Sequence, residues 1–390
     1  MPDRALEGLT VVELNNTQAA AYAGKLMADL GAEVIKVEPP QGDPARAFGP
    51  FPGHTPHAEK SGTFLYLNTN KLGVTLDITT PGDRAKLDQL LAKADVLVHD
   101  FTPSQADELG LTWDRVHALN GDLVMTSIFP FGAEGPKRDY RSEDLTLLSA
   151  GGWTWLNGWP GHPEMPPLKP YGMQSSYQGG VTAALSTMGA LFARQRGVAR
   201  GQHIEISVQE CISSILEMTL PMHSYMDIPS VRWGRRPIQP IDFFQCKDGA
   251  WIFVLTIEEH QWERLVELME TPEWTKLPSA ANRFSRASNW DELRPFMEEW
   301  AQQWNADDLY RAAQEKRIPF APVSTLSNLL DSEHLKARGF FVEVRHPEAG
   351  ALKYAGAPYK MSETPWEIRS PAPTLGQHND TVFGGVKGAV

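Results

Sequence analysis

Cysteine is nearly missing from this chain of 390 residues, with only Cys211 and Cys246 present. A disulfide framework is therefore not expected, and a reducing cytoplasmic compartment is. Long apolar runs are missing as well: nothing approaches the ~20 residues that span a bilayer. The first residues, which include Arg4 and Glu7, carry no apolar core of a secretory leader. Positive charge is in deficit, with 36 Lys and Arg against 48 Asp and Glu, a net charge of −12. Nucleic acid requires a basic face, and anionic membranes attract one, so neither is an expected partner. A small anionic ligand remains compatible, because local charge can oppose net charge.

Several chemical signatures are absent too. The turn after the first apolar strand reads Asn15-Asn16-Thr17-Gln18-Ala19-Ala20, without the Gly-x-Gly-x-x-Gly of dinucleotide sites. No Gly-x-x-x-x-Gly-Lys-Ser/Thr phosphate loop and no Gly-x-Ser-x-Gly elbow occur. The eleven histidines are scattered, and His54 and His57 share a Pro/Gly-rich loop with no cysteine partner, so no metal site is expected.

What is present reads as an α/β protein. Leu9 to Leu14 is a short apolar strand, Thr17 to Leu30 a helix stopped by Gly31, and Ala32 to Glu38 a second strand ended by Pro39-Pro40. That is a βαβ unit, which implies parallel strands. Gly73 to Leu76, Asp95 to His99 and Leu123 to Ile128 continue the pattern, with a helix over Pro81 to Ala94. The expectation is a Rossmann-like doubly wound sheet over roughly the first 130 residues, with ligands outside the carboxyl ends of its strands. A long helix over Tyr177 to Arg194 and a strand over His203 to Ser207 follow. We expect a large domain over 1–220 and a linker over 221–240, rich in proline and carrying Arg232, Arg235 and Arg236. A smaller α+β domain over 241–325 and a return segment over 326–390 complete the division. The small domain's Trp251, Trp262, Trp274, Trp290, Trp300 and Trp304 read as core. Two readings stand for Glu143-Asp144: acids at the positive end of a helix capped by Ser142, or carboxylates lining a cleft. Lys36, Arg46, Lys71 and Arg141 fall in or near strand-end loops and are expected to form a basic rim for a phosphorylated ligand.

Segments in a particular order resemble CoA-transferase family III, also called the carnitine dehydratase and bile-acid-inducible protein family. They are Leu6-Glu7-Gly8-Leu9, then Met27 to Pro40 with Gly42-Asp43-Pro44-Ala45-Arg46. Asn68-Thr69-Asn70-Lys71, Val74-Thr75-Leu76-Asp77 and Ala94 to Val98 follow. Gly201-Gln202-His203 and His334 to Phe340 complete the set, which covers almost the whole chain.

The resemblance implies CoA transfer between an acyl-CoA and a carboxylic acid, with CoA as substrate and no tightly bound cofactor. It also implies two chains interlinked like rings, either a homodimer or a hetero-oligomer with a related chain. In such enzymes an aspartate attacks the thioester, giving a mixed anhydride and then an aspartyl-CoA thioester. Carried over, Thr17, Gln18 and Ala19 form the turn that contacts CoA, and Lys71 and Phe101 contact its nucleotide. Arg141 takes the place of a phosphate-binding lysine, and Asp144 that of an acid near the thioester. Three positions depart from the pattern. Glu108 stands where an arginine often meets the adenine, Asp100 replaces an asparagine, and Ser176 occupies the place of the nucleophilic aspartate. A serine would form an ester, which does not readily return to a thioester. Ser176 can also be read as the cap of a helix starting near Tyr177. The racemase branch pairs a histidine with an aspartate at two positions that here read Glu143 and Ser176. The expected function is CoA transfer, with this chain as a non-nucleophilic subunit of a mixed complex. The alternatives are another acyl-CoA reaction run by Glu143 or Asp144 (a lyase, hydratase or isomerase), or CoA binding without turnover.

Overall fold

In the computed structural model, the described residues are 4–159, 162, 164–228, 230, 232 and 236–384. Arg235, expected in a basic linker, lies outside them. Six parallel strands form the main sheet: β1 (Thr10–Leu14), β2 (Glu33–Glu38), β3 (Lys71–Thr75), β4 (Val96–His99), β5 (Val124–Phe129) and β6 (His203–Ser207). Their order is β3-β2-β1-β4-β5-β6, the doubly wound arrangement in which the strand order reverses beside β1. The sheet therefore extends beyond the first 130 residues, because β6 pairs with β5 after an excursion of helices and loops.

Side-chain alternation assigns the two faces. Val11, Val34, Val96, Val98 and Val124 point to one face and pack on α1 (Gln18–Asp29) and on the long helix 174–195. Val12, Leu14, Ile35, Val37 and Leu97 point to the other, against α2 (Pro81–Leu91) and α3 (Trp113–Leu119). Strands buried on both faces explain the near-continuous Val/Leu/Ile runs. Three further helices shape the cleft side: α4 (Asp144–Ala150), α5 (Gln174–Gln195) and α6 (Val208–Ser214). Helix α5 lies close on α1, since a Cβ on Gly180 would sit 2.6 Å from the Ala19 carbonyl oxygen.

Contacts divide the chain into two units. The first comprises Met1–Asn157, Pro167–Ser230 and Arg338–Val390, and includes the hairpin 341–355. The second comprises Gly158–Pro166 and Val231–Ala337. Its antiparallel sheet of β7 (Ile241–Gln245), β8 (Trp251–Leu255) and β9 (Ala321–Pro322) packs with α7 (Glu259–Leu268), α8 (Trp290–Ala301) and α9 (Ala306–Glu315). Trp262 and Trp290 are buried there, and Trp274, Trp300 and Trp304 pack against that core. Trp251 does not: it is 45% exposed on a strand whose alternate residues Ile252 and Val254 take the inner face.

Between the main sheet and α1 lies a buried ionic cluster. Glu13 of β1, Lys36 of β2 and Lys71 of β3 are all essentially inaccessible. Glu13 Oε1 is 3.2 Å from Lys36 Nζ and its Oε2 is 2.7 Å from Lys71 Nζ. Lys71 also directs hydrogen bonds to the Ala21 carbonyl and Asn68 Oδ1, at 2.7 and 2.9 Å. Lys36 also meets Asp43 at 2.6 Å and Asn15 Oδ1. Burial opposes the charge on both lysines, but their outcomes differ. The carboxylates of Asp43, Glu13 and Glu38 outweigh burial at Lys36 and raise its pKa. Lys71 has the shared Glu13 against burial and the charge of Lys36, and its pKa falls to about 8.

Removing one partner from such a cluster leaves an uncompensated buried charge. Glu13→Ala is expected to lower the unfolding free energy by roughly 3–5 kcal/mol, read from guanidinium denaturation. A loss below about 1 kcal/mol, the range of exposed pairs, would show that the cluster contributes little.

Candidate active site

Strand β1 ends at Leu14, and the chain turns through Asn15 and Asn16 into α1. Thr17 caps that helix: its Oγ1 accepts from the Ala19 amide at 3.3 Å. The turn is fastened from below by Asp100, which follows β4. Asp100 Oδ1 accepts from the amides of Asn16 and Thr17, at 2.6 and 3.1 Å. Its Oδ2 accepts from Thr17 Oγ1 at 2.6 Å and from the Ala20 amide at 3.0 Å. Burial pushes the Asp100 carboxyl above its ordinary range, against the pull of those donors. Asp100 is thus a positioning residue for the turn, where the sequence showed only a departure from an asparagine.

Three cavities adjoin this turn. One of about 860 Å³ opens at the carboxyl ends of β1 to β3 and is lined by Leu14, Pro39, Pro40, Leu76, Ile78 and Phe101 among others. A second, of about 280 Å³, shares Asn16 and Pro44 with it and contains Thr17, Gln18, Ala19, Asp100, Glu143, Asp144, Ser175 and Ser176. A third, of about 720 Å³, shares Gln18, Glu143, Asp144 and Met173 with the second. Phe48 lines both as well, and the third cavity's further lining includes Leu145, Lys169, Tyr171 and Tyr177. Shared linings make these one cleft from the strand ends to the start of α5.

Asp144, the first residue of α4, is held on both oxygens. Ser175 donates to Oδ1 from its amide at 2.8 Å and from its hydroxyl at 2.7 Å. Lys169 Nζ donates to Oδ2 at 2.7 Å. The remaining Lys169 donors go to the carbonyls of Pro170 and Gly172, so this ammonium is saturated. Glu143 is the cap residue of α4, a place the sequence assigned to Ser142. Its amide donates to Thr146 Oγ1 at 2.7 Å, and its carboxylate faces the first turn in return.

Ser176 is not a cap. Helix α5 begins at Gln174 after Met173, with no side-chain cap bond, so Ser176 stands at its third position. The sequence expectation started the helix too late because Gln174-Ser175-Ser176 lacks apolar residues, whereas Ser175 is fixed by the tertiary bond to Asp144.

The expected basic rim is corrected. Lys36 and Lys71 are interior, held by Glu13. Arg46 borders the large cavity, but its guanidinium is bidentate on Glu38 at 2.7 and 2.8 Å and bonded to Glu59 at 2.7 Å. These charges serve carboxylates brought from elsewhere in the chain and are not free for phosphate. Arg141 is exposed and lies outside the three linings. Phe101 does line the large cavity, and Thr17, Gln18 and Ala19 gather with Glu143, Asp144 and Ser176.

A profile of CoA-transferase family III matches residues 6–379. The succinyl-CoA–D-citramalate CoA-transferase of Chloroflexus aurantiacus is 30% identical over 390 residues, covering 98% of this chain and 94% of that protein. Subunit BbsE of the succinyl-CoA:(R)-benzylsuccinate CoA-transferase of Thauera aromatica is 32% identical over 377 residues, covering 93% of this chain and 90% of that one. A solved CAIB/BAIF family protein from Brucella suis superposes with a TM-score of 0.89 at 27% identity, covering 99% of this chain and all of that one.

Asp100 provides a check on how the turn is built. Asp100→Ala leaves the amides of Asn16, Thr17 and the buried Ala20 without an acceptor and is expected to cost about 1–3 kcal/mol, while Asp100→Asn, which keeps one acceptor, costs less. Equal melting temperatures for both variants and the parent protein would contradict this role.

Proposed function

The chain belongs to CoA-transferase family III, enzymes that move CoA between an acyl-CoA and a carboxylic acid, and we propose that it does so through the cleft between the strand ends and α5. The observation that carries this reading is the continuity of the three cavities past Gln18, Asp144 and Ser176. CoA is long, with a nucleotide at one end and a thiol at the other. The apolar wall of Pro39, Pro40, Leu76, Ile78 and Phe101 suits the faces of an adenine. The pantetheine arm then runs past the α1 turn, and the thioester lies among Gln18, Glu143, Asp144 and Ser176. The acyl group extends toward Phe48, Leu145, Tyr171 and Tyr177.

In this reading Ser176 takes the place of the nucleophilic aspartate and is not itself acylated. The test incubates the purified chain with a panel of acyl-CoAs and carboxylic acids and identifies new thioesters by mass spectrometry. Exchange products support the reading, and their absence from every pairing counts against transfer by this chain alone. Ser176→Ala is expected to keep the CoA affinity within about twofold and stability within about 0.5 kcal/mol, as for a substitution outside the packed core and caps. Loss of exchange with binding intact would instead give the serine hydroxyl a chemical role.

A second reading has its own support. The BbsE relative is named as a subunit, and so is an alpha subunit of a succinyl-CoA–L-malate CoA-transferase from Chloroflexus aurantiacus, 29% identical over 377 residues. Here the chain works in an interlinked dimer, with itself or with a related chain that carries the aspartate. Interlinked chains cannot separate without unfolding. Dilution to nanomolar concentration should therefore leave the dimer intact in native mass spectra, and reversible appearance of folded monomers would refute interlinking.

A further inference from the structure

Transfer through a mixed anhydride requires a carboxylate with an oxygen free to reach the thioester carbon. The cavity that holds Ser176 is lined by three carboxylates, Asp100, Glu143 and Asp144. Asp100 accepts two hydrogen bonds on each oxygen from the α1 turn. Turning it toward a substrate would strip acceptors from the amides of Asn16, Thr17 and Ala20. Asp144 has two donors from Ser175 on one oxygen and the Lys169 ammonium on the other. Charge-assisted donors withdraw electron density from a carboxylate and fix its orientation, which suits binding and polarisation rather than attack.

Glu143 differs on every count. It is exposed, it has no ion pair among the described residues, and its carboxylate is engaged only in the reciprocal cap with Thr146. It lines both the cavity of Ser176 and the neighbouring cavity that carries the apolar side chains. The small, uncharged Ser176 lines the same cavity and adds no further carboxylate to it.

We propose that Glu143 is the covalent nucleophile of this chain, in place of the aspartate missing at position 176. The assignment rests on the CoA-transfer reading above. A Glu143 carboxylate oxygen attacks the acyl carbonyl, the C–S bond breaks, and CoA leaves as thiolate with a glutamyl–acyl anhydride behind it. The thiolate attacks the glutamyl carbonyl, the anhydride C–O bond breaks, and the donor acid departs as carboxylate. A second carboxylate then attacks the glutamyl thioester and expels the thiolate. The thiolate takes the new acyl group from the second anhydride and restores Glu143. No oxidant or reductant is consumed, and the net change is exchange of CoA between two acids.

The experiment uses the full-length protein with acetyl-, succinyl- and benzoyl-CoA, each paired with a panel of acids. Reactions are quenched for intact mass, then treated with hydroxylamine and mapped by peptide mass spectrometry. The expected result is a CoA adduct that hydroxylamine converts to a hydroxamate on the peptide carrying Glu143. Glu143→Gln should lose exchange by roughly 10³-fold or more, as for removal of a nucleophile, while calorimetric affinity for CoA stays within about twofold. Glu143→Ala guards against regeneration of the acid by deamidation. An adduct on Asp144 or another residue, or exchange that persists in both variants, overturns the assignment and leaves CoA transfer standing. A wild-type chain that binds CoA yet gives neither exchange nor adduct overturns the assignment together with transfer by this chain alone.

Discussion

The carboxylate of Glu13, shared between two buried ammonium groups, is the constraint on which the rest of the large unit depends. It joins three adjacent strands from within the layer between sheet and helix, where all three side chains are essentially inaccessible. Glu13 and Lys36 face each other in register on β1 and β2. Lys36 reaches onward to Asp43 and Asn15, in the loops that follow β2 and β1. The same loops form the wall of the cleft. Strand register, loop position and cavity shape are thereby coupled through a few charges in a low-dielectric setting. Gly24 is part of the constraint, since a Cβ there would come within 1.9 Å of Glu13 Oε2.

The cleft is organised by how far each polar group is already occupied. Asp100 is spent on the α1 turn, Asp144 on Ser175 and Lys169, and Arg46 on Glu38 and Glu59. Glu143, capping a short helix at the junction of two cavities, is exposed and has no ion pair among the described residues. Residue type alone ranks these groups as equals; their hydrogen-bond partners separate them.

Much of the architecture was legible because it rests on local physics. The first strand, helix and strand, and the strand from His203 to Ser207, are marked by apolar runs and by Gly31 as a stop. Local signals failed where distant partners decide. Helix α5 starts at Gln174 because Asp144 anchors Ser175, and Trp251 faces outward because of its strand register. The basic rim was misread for the same reason. A lysine in a sequence shows its charge and not its counterion, and the counterion of Lys36 and Lys71 lies on another strand.

The sequence by itself determined a parallel α/β sheet, a turn after β1 without the glycine fingerprint of dinucleotide sites, and the presence of a serine at position 176. These follow from residue identity, short-range periodicity and the order of motifs along the chain. Only the tertiary structure decided which charges are interior, which carboxylates are occupied, and that Asp100, Glu143, Asp144 and Ser176 share one cavity. Those outcomes depend on contacts between residues far apart in the chain, where the competition between burial and pairing is settled by three-dimensional proximity.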